Sequence, residues 1–433
     1  MTERKKPELL APAKNLVILK TSIRYGADAV YLGGEAYGLR ANADNFSREE
    51  MIEAVRYAHE RGVKIYITAN IFAHNGDIDG VREYFRELDQ EVRPDAVLIA
   101  DPGIFAIAKE ELHDIELHVS TQANNTNYMS ARFWYEQGAK RIVTARELSL
   151  REIQELREKI PEDMDIETFI HGAMCISYSG RCLLSNYFTG RDANRGECTH
   201  PCRWKYALME ETRPGQYFPV EENERGTYIM NSKDLCMIDH VPELLSSGID
   251  SLKIEGRMKT ALYVAAVVRT YRKAIDDCFA SEEKYKENLP LYDKEIRSCT
   301  YRDFTTGFFF GKPSDEDQIY DNNTYHSGSI YLGTIESVDE NGYHHLMQKN
   351  KFSVGETIRI MKPDMNDREV KVLEILDEDG NPMESASHAS QHILVRLSEA
   401  AEPMDLISRQ EEEVIDHGKR KVRCIRRNLY TYQ

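Results

Sequence analysis

ELLAPAKNLVILKTSIRYGADAVYLGG, residues 8–34, decides the fold. ELLAPA (8–13) is a short apolar run of strand length. NLVILKTSIRYG reads as an amphipathic helix stopped by a Gly, and AVYLGG (29–34) is a second apolar run. A glycine just past the last helical turn takes the left-handed conformation that ends helices. Two strands joined through a helix run parallel, because the crossover returns the chain to the same end of the sheet.

The same unit recurs down the chain. Further strand runs are KIYITAN (64–70), AVLIAD (96–101), ELHVST (116–121), RIVTA (141–145), IETFIH (166–171) and SLKIEG (251–256). Between them lie helical patterns such as REEMIEAVRYAHERG, DGVREYFRELDQE, YMSARFWYEQG and LSLREIQELREKI. Eight such strands predict a closed (β/α)8 TIM-like barrel over residues 1–280. An open doubly wound sheet is the alternative, but no GxGxxG turn follows the first strand. The seventh connection (172–248) is much longer than the others and carries YIMNSKDL (228–235), an extra strand or a rival for one of the eight. Long insertions at the C-terminal face of a barrel build or cover active sites.

A strong helix (260–280) and a helical connector (281–299) follow. The texture then changes to Gly-punctuated alternating runs over 300–410, which predict a small antiparallel β-barrel domain. Residues 411–433 are a charged, basic tail. With 433 residues, more than one core is expected. No run approaches the ~20 apolar residues of a membrane helix. The start, MTERKKPELLAPA, lacks the apolar segment of a secretory signal, so a cytoplasmic location with reduced thiols is expected. The net charge of −17 argues against a general nucleic-acid coat. Lys419, Arg420, Lys421, Arg423, Arg426 and Arg427 nonetheless concentrate positive charge near the end.

Barrel chemistry gathers where strands enter their C-terminal loops, and those positions are polar here. They include Asn70, Asp101, Ser120, Thr121, Gln122, Arg146, Glu147, His171, Lys253, Glu255 and Arg257, with Asn42, Asp44 and Asn45 in the second loop and Lys233 and Asp234 in the insertion. Arg146, Lys253 and Arg257 suit carboxylates or phosphates. His171 suits proton transfer or ligand orientation. No serine nucleophile elbow and no HExxH helix occurs, so a protease reading has no recognisable machinery. The insertion also holds CISYSGRCLLSNYFTGRDANRGECTHPC (175–202), spaced C-x6-C-x15-C-x3-C. An iron–sulfur cluster, a zinc site, a catalytic thiol and no metal at all remain open on that spacing. Cys278, Cys299 and Cys424 read as bystanders.

ETFIHGAMCISYSGRCLLS (167–185) resembles the motif of peptidase family U-32, the collagenase-like peptidases. RANADNFS, HVSTQ, ARELS, NSKDL and SLKIEGR also resemble that family, and the resemblance covers nearly the whole chain. It implies a 4Fe–4S cluster on Cys175, Cys182, Cys198 and Cys202, with Cys236 as the alternative fourth ligand. For members with one barrel and an appended domain, it implies O2-independent, prephenate-dependent 5-hydroxylation of the wobble uridine of tRNA. A family-type peptidase and a structural metal-binding scaffold are the other readings. On the hydroxylase reading, His171, Lys253, Glu255, Arg257 and Gln122 are expected to be catalytic. Arg146, Glu147, Asn42, Lys233 and Asp234 would meet the dicarboxylate co-substrate and the base, and Lys419, Arg420, Lys421 and Arg423 the RNA backbone. Removing residues 418–433 is expected to weaken tRNA binding and flatten its salt dependence, and unchanged binding would refute that role.

Overall fold

The computed structural model describes residues 6–37, 45–175, 177–179, 181–191, 193, 198–203, 207–208, 218–219, 231–314, 317–319, 326–388 and 390–410. Eight parallel strands close a barrel. They are β1 (Glu8–Pro12), β2 (Ala29–Leu32), β3 (Lys64–Ala69), β4 (Ala96–Ile99), β5 (Glu116–Val119), β6 (Arg141–Val143), β7 (Asp165–Ala173) and β8 (Ser251–Ile254). β8 pairs with β1 on one side and β7 on the other, which excludes the open sheet. The strands are buried nearly end to end, as parallel strands covered by helices must be.

Helix starts are set locally. Asn15, Asp101, Asn127 and Thr260 each accept a backbone N–H of the first turn, while Ser47 and Ser149 form capping boxes with Glu50 and Glu152. These contacts satisfy donors that a helix end would otherwise leave bare.

YIMNSKDL does not displace a barrel strand. Asp234–Cys236 pairs antiparallel with β7, outside the barrel, and Phe304–Thr305 pairs parallel onto it. Gln318–Ile319 likewise pairs with Asn231–Ser232 of the insertion, so Phe304–Thr305 and Gln318–Ile319, which the sequence groups with the appended domain, pair with the barrel sheet and the insertion. The appended sheet begins at Ser329–Val338. It closes on itself through His344–Met347, His392–Leu397, Arg368–Leu376, Thr357–Met361 and Leu406–Gln410, an antiparallel β-barrel as expected. A buried ion network fixes it to the larger domain. Arg269 of the helix Ala261–Ala280 meets Glu295 at 2.5 Å and Asp367 at 2.8 Å. Tyr25 donates to the Met361 carbonyl at 2.7 Å. No described helix is long and apolar enough to cross a membrane.

Candidate active site at the barrel mouth

The C-terminal ends of β5, β6 and β7 and the start of the cysteine segment form a small, open hollow. It is lined by Thr121, Arg146, Glu147, Met174, Cys175, Ser177 and Ser179. Local backbone chemistry brings these strands together. Gly172 sits at φ +107, and a Cβ there would lie 2.4 Å from the Glu255 carbonyl oxygen, so only glycine lets the ends of β7 and β8 close up. The β7–β8 register also shifts between Lys253 and Ile254, the kind of irregularity that re-aims side chains near sites.

Arg146 is the cation of this hollow. Its guanidinium lies over the Phe169 ring at 3.9 Å, 3.6 Å from Glu255 and 3.9 Å from Cys175 Sγ. Burial pushes the Glu147 carboxyl above the usual range, against the opposing pull of Arg146. Arg146, Glu147, Glu255 and Cys175, four residues singled out in the sequence, thus converge.

The other candidates are placed differently. Lys253 Nζ is buried 2.7 Å from Glu167 and 4.4 Å above the Tyr31 ring, inside the barrel. Arg257 donates to Asn45 at 2.8 Å and Thr68 at 3.2 Å, with its guanidinium where a side chain on Gly33 would stand. Gln122 accepts from Asn70 at 3.0 Å and from Ser120. Lys233 is half-buried, and its backbone N–H donates to the Asp317 carbonyl at 3.1 Å.

Two expected site residues are buried away from the hollow. His171 is buried against Tyr263, Tyr271 and Phe304, with Nδ1 3.4 Å from the Tyr271 hydroxyl. Burial pushes its pKa down to about 3, against the pull of Asp234 and with the help of Lys259. It packs behind the strand ends and is not among the residues that line the hollow. Asp234, expected to meet substrate, is instead buried against Arg302, which donates from Nε at 2.9 Å. Asn42, Asp44, Lys419, Arg420, Lys421, Arg423, Arg426, Arg427 and Cys424 lie outside the described residues.

The cysteines divide by environment. Cys175 is exposed, Cys182, Cys198 and Cys202 are half-buried, and Cys278 and Cys299 are buried. Cys236 packs against the core with Sγ 3.9 Å from the Tyr271 hydroxyl. The first four have the donor chemistry of a thiolate-bound centre, and the His200 N–H already points at Cys198 Sγ at 3.4 Å. Among the described residues, no three potential ligands are gathered around one point.

Sequence reasoning missed the residues that hold this mouth in shape. Asn124 donates to the Ser179 carbonyl at 3.3 Å and accepts from Arg181 Nε at 2.8 Å, tying the cysteine segment to the loop after β5. Glu167 and Arg141 pair inside the barrel at 3.2 Å. A charged residue within the apolar run IETFIH was the available signal for Glu167.

Comparison with known proteins matches the arrangement along its length. A family model described as peptidase family U32 fits residues 14–319, and one for the U32 C-terminal domain fits residues 328–408. The tRNA hydroxylation protein P1 of Bacillus subtilis is 42% identical over 407 residues, covering 93% of this chain and 94% of that protein. The tRNA hydroxylation protein P of Escherichia coli is 36% identical, covering 83% and 87%. An Escherichia coli 23S rRNA 5-hydroxycytidine synthase is 37% identical over 269 residues, covering 62% of this chain and 39% of that one. With both of its domains matched, the chain belongs to peptidase family U32.

Proposed function

We propose that this protein hydroxylates tRNA, adding oxygen at C5 of the wobble uridine without O2 and with prephenate as co-substrate. The observation that carries the reading is the likeness, over 93% of the chain, to a protein named for tRNA hydroxylation. The partial likeness to an rRNA 5-hydroxycytidine synthase points to the same pyrimidine carbon. An anticodon loop offers unstacked bases that a pocket accepts without opening a duplex.

The residue types present suit this chemistry in two respects. Prephenate is a dicarboxylate, and of the three cations expected to anchor it, Arg146 is the one that lines the hollow. Cys175, Cys182, Cys198 and Cys202 are the residues that would hold a 4Fe–4S cluster, which when bound supplies a redox or Lewis-acid centre. Cys236, packed against the core, is the weaker choice for fourth ligand, and zinc the weaker choice of metal.

Mass analysis of nucleosides from tRNA tests the reading. A strain lacking this gene is expected to lose 5-hydroxyuridine and its derivatives, and a plasmid copy to restore them. An unchanged nucleoside profile would overturn the assignment.

A further inference from the structure

We propose that Tyr178, Tyr187 and Phe188 form a stacking platform, beside the barrel mouth, for unpaired bases of the RNA substrate. This rests on tRNA being the substrate and names the surface that receives it. The three rings are 44%, 81% and 42% exposed. Tyr187 and Phe188 meet edge to face with centroids 5.1 Å apart. Most large aromatic side chains of the barrel are instead packed away, including Tyr25, Tyr66, Tyr263, Tyr271, Tyr285 and Tyr292. Rings held in water next to a candidate site mark a binding surface rather than a packing residue.

Their placement joins them to the chemistry. Tyr178 stands between Ser177 and Ser179, both of which line the hollow. Tyr187 and Phe188 lie on the short helix Leu184–Thr189, between Cys182 and Cys198 in the chain. Both supports are pinned. Ser185 Oγ accepts the Thr199 N–H at 3.1 Å, and Thr189 donates to the Ser185 carbonyl at 2.7 Å. Arg181 is held by Asn124 on the other side, with its guanidinium 5.2 Å from the Phe72 ring centroid. A rigid platform loses little entropy on binding.

Charge favours RNA over a protein partner as the occupant. Arg181 and Arg191 are exposed in the same stretch of chain as these rings, on a chain whose net charge is −17. Aromatic faces interleaved with guanidiniums are how proteins hold single-stranded bases and the phosphates between them. On an acidic body, such a local device replaces the broad positive field that other RNA binders use.

The test is fluorescence anisotropy of the full-length protein with two labelled RNAs, an anticodon stem-loop hairpin and a blunt duplex. Tyr187→Ala is expected to weaken hairpin binding about 5- to 100-fold. Tyr187→Phe should bind like the wild type, and Tyr187→Leu like the alanine variant, because a leucine has no π face. Because Tyr187 lies on the surface, circular dichroism of the variants should match the wild type. Wild-type binding with an unaffected alanine variant overturns the platform alone, as does a leucine variant that binds normally. A wild-type protein that does not prefer the hairpin over the duplex overturns the substrate reading and the platform with it.

Discussion

Cys175→Ala is expected to yield a folded, colourless protein and a strain whose tRNA lacks 5-hydroxyuridine. Cys175 is exposed at the rim of the hollow, so its loss opens no cavity in the core. Under the proposed cluster assignment it does remove one of the four thiolate donors, and with it the sulfur 3.9 Å from Arg146. Anaerobically purified wild type should be brown, with broad visible absorption and iron matching a 4Fe–4S cluster, and the variant should lose both. The same experiment decides the fourth ligand. Cys202→Ala should bleach the protein as Cys175→Ala does, whereas Cys236→Ala should keep its iron, since Cys236 is engaged with Tyr271 and the core. The opposite pair of results would reassign the ligand, and a colourless wild type carrying zinc would sink the cluster altogether.

The barrel was legible because its information is local. Eight apolar runs of strand length, most of them followed by a helical pattern, leave little choice of architecture, and the structure places a barrel strand on every one. What the sequence does not show is long-range. His171 looked available because nothing near it in sequence covers it. Its cover is Phe304 and helix residues Tyr263 and Tyr271, about a hundred or more positions away. Asp234 reads as a site residue until Arg302 closes on it. Residues 300–327 were grouped with the appended domain because their strands are two residues long, too short to show a period. The convergence of Arg146, Glu147, Glu255 and Cys175 was only half legible. Strand ends could be named, but the sequence does not say which of them face the same hollow.

Lys253 is the sharpest such case, and Glu167→Gln is expected to show what it does. Glu167 is fully buried, with one carboxylate oxygen 2.7 Å from Lys253 and the other 3.2 Å from Arg141. Arg141 also binds Glu8 at 2.7 Å and Asp165 at 3.1 Å. Glu8 in turn accepts from Tyr66 and Ser251. Burial alone would raise the Glu8 carboxyl, but Arg141 and these donors hold it below the usual range. A carboxyl lowered in the folded state stabilises the protein above its unfolded pKa and stops doing so as pH falls through the folded value. The network should therefore weaken only in acid. Glu167→Gln leaves Lys253 buried without its anion at every pH, a change that costs about 3–5 kcal/mol. Urea unfolding should register that loss. The double variant Glu167→Leu, Lys253→Met should recover much of it, because matched apolar residues can replace a buried pair. A single variant within about 1 kcal/mol of the wild type would show that the pair is not coupled. The double variant also separates the two roles open to Lys253. If it is stable and still hydroxylates tRNA, Lys253 is part of the scaffold. If it is stable, retains its iron and is inactive, the lysine reaches the reacting groups from below the Phe169 ring, and its pairing with Glu167 holds it there.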